Sequence, residues 1–279
     1  MNSYDEMELE VQQPVQEMTE DETAMAVVSA GEIARVQGQI ISAKKFPRNE
    51  TTSYQKILTS CKRESLAKTA MYSYPRGGTT VRGPSIRLAE QLARSWGNLD
   101  TGIRELSQVE GESVVEAYCL DLETNYRSSI IFSVKHVRKT KTKTNVLDDP
   151  RDIYEHVANL ASRRKRACIL AVIPADITEG AIAACEETLI GGGGEPLIDR
   201  LRKMVVMFKE LDETVTQEML EKKIGYKIEE ATKSDLTELG SIYNSLKDNM
   251  TKRLDWFEDK KGVKTDASKK TDAAFGSLA

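Results

Sequence analysis

The sequence predicts an α+β fold: an antiparallel β-meander with a β-hairpin, packed against helices, followed by a small C-terminal helical module. Three observations carry that reading. Runs rich in β-formers at 103–109, 114–122 and 128–137 are separated by Glu110-Gly111 and Glu123-Thr124-Asn125, turns too short for a helical crossover, so the strands are antiparallel. Pro75-Arg76-Gly77-Gly78 stands between two extended runs and reads as a hairpin turn. Helical periodicity with cap signals brackets both features, and four glycines at 191–194 set off a last helical block.

Taken in order, residues 1–28 are acidic, poor in aromatics and expected to be a disordered tail. Ser29 and Glu32 have the spacing of a capping box for a helix through Ile33, Val36 and Ile40 that Pro47 ends. A second helical stretch runs from Ser53 to Lys68, with Ile57, Leu58 and Cys61 on one side. After the hairpin, Gly83-Pro84-Ser85 opens a helix whose apolar side is Ile86, Leu88, Ala89, Leu92, Ala93 and Trp96, stopped by Gly97. In the third strand of the meander Ile130, Phe132 and Val134 alternate with Ser129, Ser133 and Lys135, giving one core face and one wet face.

A Lys/Thr loop follows. Asp149 as N-cap and Pro150 at the first helical position launch a long helix to about Val172, closed by Pro174, and another helix spans about 177–189. The glycine run 191–194 predicts a linker between a core of residues 29–190 and a helical module of residues 195–257. In that module Leu197, Leu201, Met204, Val205 and Phe208 mark one helix, Met219-Leu220 a short one ending at Gly225, and Leu236 to Leu246 a third opened by Thr232 and Asp235. Residues 258–279 read as a polar tail.

Charge is unevenly spread. The net charge is -4 over 279 residues, yet residues 1–34 carry nine acids and no base, and residues 35–170 carry 24 bases against 14 acids. A central excess of ten positive charges flanked by acidic segments suits a phosphate backbone; a solvated basic face is the plainer alternative. No apolar run reaches the roughly 18 residues that cross a bilayer, and the acidic N-terminus is unlike a secretory signal, so a cytoplasmic protein without membrane partners is expected.

Four cysteines, Cys61, Cys119, Cys168 and Cys185, lie far apart and away from His136 and His156; they read as reduced core thiols rather than zinc ligands. No G-x-x-x-x-G-K-[ST] loop and no G-x-S-x-G elbow occurs, so neither a nucleotide cofactor nor a catalytic nucleophile is expected. Glu116 and Asp121 are the carboxylates that a metal nuclease would use, but strand parity puts them on opposite faces.

Three groups of residues are the candidates for binding a nucleic acid. Lys135, Arg138, Lys139, Lys141 and Lys143, interleaved with threonines, end the third strand in an acid-free loop suited to backbone contacts. Arg163-Arg164-Lys165-Arg166 sits within the long helix; successive residues there diverge by about 100°, so Arg163 and Arg166 fall on the polar stripe with Glu155, Asn159 and Ser162. Arg164 shares a stripe with Val157, Ala161 and Cys168 and is expected in a buried pair or a subunit contact. Arg76, Arg82 and Arg87, with Tyr72 and Tyr74 beside them, can grip phosphates and stack bases, or simply pack on the sheet.

The order hairpin, helix, three-stranded meander, long basic helix resembles the core of phage single-strand annealing proteins of the Red-beta and RecT types, a superfamily that includes the eukaryotic annealing protein of mitotic recombination. The stretch Val81-Arg82-Gly83-Pro84-Ser85-Ile86-Arg87-Leu88-Ala89-Glu90 through Trp96-Gly97-Asn98 looks like the leading helix of that core, and Asp152 to Pro174 like its strand-binding helix. The resemblance covers roughly residues 30–190 and implies backbone contacts by Arg82, Lys165 and Arg166. The pattern departs at Ile169 and Leu170, where the family tends to keep another basic residue. It further implies ATP-independent annealing of complementary strands in recombination, by a ring or helical filament of subunits that holds single-stranded DNA and then the annealed duplex. An exonuclease or a single-strand-binding protein is the corresponding partner for residues 195–257. The rival expectation is a non-catalytic replication or recombination adaptor, in which that module binds a protein and the basic core only localises it to DNA.

Overall fold

The computed structural model of the chain describes residues 20–139, 144–191 and 195–258, without the side chains of 20–26 and 139. The chain divides into two compact units, residues 1–47 and 48–279. The first unit holds one 26-residue helix, α1 (Glu20–Lys45). It begins nine residues before the expected Ser29 cap, because residues 20–28 contain Glu, Ala and Met and no Gly or Pro to stop a helix. Glu32 does not cap; it pairs with Arg35 one turn on, at 2.9 Å. The expected tail is thus helical from residue 20, and its remainder, like 259–279, lies outside the described residues.

In the second unit α2 (Glu50–Cys61) is capped by Asn49, whose side chain accepts the Thr52 N–H at 2.8 Å. The single helix expected over 53–68 is two, α2 and α3 (Glu64–Thr69), with Arg63 extended between them. An unbroken helix would carry Glu64 and Ser65 onto the face of Ile57 and Cys61; the break re-phases the chain so that Ala67 buries instead. Strands β1 (Met71–Arg76) and β2 (Thr79–Pro84) pair antiparallel with Arg76 opposite Thr79. The two turn residues, Gly77 and Gly78, both have positive φ (57° and 83°), the conformation of a type I′ hairpin that a Cβ would oppose.

Ser85 accepts the Leu88 N–H and starts α4 (Ile86–Trp96). The meander follows as β3 (Leu99–Val109), β4 (Glu112–Asp121) and β5 (Arg127–Lys135), a three-stranded antiparallel sheet in sequence order with an irregularity between Glu105 and Ser107. The Lys/Thr segment is a short antiparallel ribbon rather than a loop at its base, with Val137–Lys139 (β6) paired to Thr144–Val146 (β7).

Helix α5 (Pro150–Val172) begins as expected, with Asp149 accepting the N–H groups of Arg151 and Asp152 ahead of Pro150. It crosses one face of the meander, where Val157 and Ala161 bury against Val115 and Val134. Its last turns join α2, α4 and α6 (Ala175–Gly191) in the main core, built on Ile57, Leu88, Leu92, Trp96, Ile169 and Cys185. All four cysteines are buried free thiols; burial pushes the Cys119 thiol up to about 12.

Three further helices, α7 (Leu197–Leu211), α8 (Gln217–Ile224) and α9 (Lys233–Lys247), enclose a second core around Leu201, Phe208, Leu220, Leu239 and Ile242. Gly225 ends α8 at φ 94°, and Thr232 with Asp235 forms the expected capping box. The expected glycine boundary marks a change of apolar core but not of compact unit. Helix α9 lies on β1: the Ser73 N–H donates to Ser245 Oγ (2.8 Å), and Asn244 Nδ2 donates to the Lys68 and Met71 carbonyls (2.7 and 3.0 Å). Among the described residues no single helix is long and apolar enough to cross a membrane.

Candidate nucleic-acid interface

The four consecutive bases of α5 point to four different environments. Arg163 is exposed. Arg164 lies over the Phe132 ring on β5, 4.4 Å from its centroid, and its Nη1 donates to the Leu160 carbonyl at 3.0 Å. The packed position expected for Arg164 is therefore met by an aromatic face, not by a carboxylate. Lys165 reaches Glu90 on α4 at 2.8 Å. Arg166 lies 4.2 Å from the centroid of Tyr72, whose ring stacks on Tyr74 with centroids 6.0 Å apart and planes within 10°.

This last arrangement depends on a glycine. Tyr72 faces Gly83 across the hairpin, and a Cβ on Gly83 would stand 3.0–3.3 Å from the tyrosine ring. The missing side chain lets the ring lie flat over β2 and present its face to α5. Burial, with Arg163 as a neighbouring like charge, lowers the Arg166 pKa, while both tyrosines oppose that shift. A guanidinium stays charged through such a shift, and the Tyr72 ring attracts it without neutralising it. Tyr72, Tyr74, Arg163 and Arg166 are thus brought together from the hairpin and the long helix.

Other expected contacts are already occupied. Arg82 pairs with Glu186 on α6 at 3.2 Å. Arg87 makes a two-pronged pair with Asp248, the C-cap of α9, at 2.6 and 2.9 Å, and the Lys165–Glu90 pair is the third case. These three residues, two of them implied by the family resemblance, join elements to one another. Arg76 is exposed at the hairpin tip, and Lys135 and Arg138 are exposed at the base of the β6–β7 ribbon. Lys139 closes β6; Lys141 and Lys143 lie outside the described residues. Behind the ribbon His136 is buried, its Nε2 2.8 Å from Ser113 Oγ. His156 on α5 is held below the usual histidine range by burial, Arg138 and His136.

Two constellations escaped the sequence reading. On the sheet face away from α5, Arg104 and Arg127 both lie over Tyr118, 4.8 and 5.2 Å from its centroid, and Arg127 also pairs with Glu116 at 2.6 Å. The ring has room because Gly102 lies opposite it, a strand glycine that was the available signal. At the start of the second unit Arg48, almost fully buried, pairs with Asp121 and Glu123 and lies over Trp96 at 5.3 Å. Glu116 and Asp121, the carboxylates of the nuclease alternative, thus each hold a different arginine. Among the described residues no group of three or more His, Cys, Asp or Glu is placed to hold a metal ion. No protein-family model, curated protein or solved structure matches this chain.

Proposed function

We propose that the face formed by α5 and the hairpin binds the backbone of single-stranded DNA, and that the protein anneals complementary strands without nucleotide hydrolysis, as an oligomer in recombination. The observation that supports this best is Arg166 over the Tyr72–Tyr74 stack, with Arg163 exposed on the same helix. These cations meet ring faces or solvent instead of carboxylates, so their charge remains available to phosphates, and Tyr74, half-buried beside the covered Tyr72, offers a π surface to a base. Arg138, close to His156 of α5, extends the positive charge of this face toward the ribbon, whereas Lys135 alternates onto the sheet face away from α5. In this reading backbone contacts hold one strand extended, and pairing with the second strand supplies both specificity and free energy.

The test is annealing of complementary oligonucleotides in EDTA with no nucleotide present. Acceleration that weakens steeply with salt is the expected result. Strict dependence on ATP or magnesium, or cleavage of the oligonucleotides, would overturn the reading. Salt-sensitive binding without acceleration would favour the adaptor alternative.

A further inference from the structure

Where α3 and the end of α6 meet α7 and α9, the second unit contains a cavity of about 300 Å³. Its apolar wall is drawn from Met71, Leu189, Met204, Met207 and Leu236, and Arg200 also lines it. Only 9% of Arg200 is exposed, and its guanidinium, which faces the cavity, forms no hydrogen bond or ion pair among the described residues. Acids are nearby but engaged: Glu64, which feels the Arg200 charge, is bonded to Lys68 at 2.9 Å, and Glu195 is bonded to Lys203 at 2.5 Å.

A largely buried cation whose neighbouring carboxylates are bonded elsewhere gains from a further anion within reach. Of the other polar groups in the wall, Asn244 is committed to backbone carbonyls, Ser241 donates within its own helix, Lys68 and Lys203 are paired with the lining carboxylates of Glu64 and Glu195, and Lys247 lies over Tyr243, where it adds a second cation to the site. Methionine walls add shape tolerance, since a thioether chain repacks around different apolar bodies with little strain. The volume stands at the lower end of the range of small-molecule sites, about 300–1,000 Å³, which accommodates a chain of medium length.

We infer that this cavity is a binding site for a small amphipathic carboxylate, its apolar chain among the methionines and its head on Arg200. The site is separate from the Arg166–Tyr72 face and does not depend on the DNA reading.

Titration of the full-length protein with decanoate, below its micellar concentration, tests it by calorimetry together with the methyl resonances of labelled methionines. One saturable site is expected, with the Met71, Met204 and Met207 methyl signals shifting. Decanol should bind at least ten-fold more weakly, and Arg200→Met, which keeps apolar volume and removes the charge, should weaken decanoate at least ten-fold without lowering the melting temperature. Leu236→Trp should block binding by filling the cavity. Equal binding by wild type and Arg200→Met, unsaturable uptake, or saturation with those three methyl signals unmoved would overturn the proposal.

Discussion

Two sets of basic side chains surround the hairpin and α5, and they differ in what they touch. Arg82, Arg87 and Lys165 meet carboxylates from α6, the end of α9 and α4. Arg164 and Arg166 meet the rings of Phe132 and Tyr72. An ion pair neutralises its cation and fastens two elements together; a ring orients the cation and leaves its net charge for another partner. The Tyr118 site shows that geometry alone is insufficient. It repeats the tyrosine-over-glycine device, but one of its arginines is neutralised by Glu116. Counting basic residues therefore overstates a binding surface, and sorting them by counter-charge narrows it.

The largest test of this contrast removes residues 195–279. Because α9 satisfies the Ser73 N–H and the Lys68 and Met71 carbonyls beside the tyrosine pair, the remaining chain should lose near-ultraviolet dichroism and strand binding together. Asn244→Ala, which leaves the same carbonyls unmet, should cost about 1–3 kcal/mol in urea unfolding. A truncated chain that stayed folded and bound DNA normally would show that the hairpin holds its tyrosines without α9.

Next come the ring-facing cations. Tyr72→Ala or Arg166→Ala should weaken single-strand binding by about 1–3 kcal/mol, roughly five- to 150-fold, with little dependence on base sequence. Arg166→Ala should also reduce the slope of log affinity against log salt by about one. Arg164, whose guanidinium is held between the Phe132 ring and the Leu160 carbonyl on the sheet side of α5, should differ: Arg164→Ala should lower stability by about 1 kcal/mol through its lost ring contact and leave the binding isotherm in place.

The carboxylate-paired set should respond least to DNA. Arg82→Ala, Arg87→Ala and Lys165→Ala should each change stability by no more than about 1 kcal/mol, since all three pairs are partly exposed and screened. Their strand affinity should stay within two-fold of wild type; a ten-fold loss in any of them would break the division by counter-charge.

A smaller effect should appear with pH. His156 is held below its ordinary value of 6.5 by burial, Arg138 and His136, so between its folded pKa and 6.5 the native state binds fewer protons than the unfolded chain. Its contribution to stability is then complete above about pH 6.5 and declines as the pH falls below it. Urea unfolding between pH 5 and 7.5 should show that decline, and His156→Gln should flatten it.

What the sequence determined by itself was local. Asp149 before Pro150, the Thr232–Asp235 box, Gly225, and Gly77-Gly78 each act within one turn of chain, so their structural consequences could be stated from residue type. The helical spread of Arg163 and Arg166 away from the Val157–Cys168 stripe was legible for the same reason. The break between α2 and α3 was not, because it answers to which residues the core accepts rather than to a stop signal at Lys62-Arg63. Tertiary structure alone decided the counter-charges. Glu90 lies 75 residues from Lys165, Glu186 lies 104 from Arg82, and Asp248 lies 161 from Arg87. At such separations a partner is selected by how the helices stack, so whether a basic residue faces phosphate or is consumed by the fold is a property of packing, not of the run in which it is written.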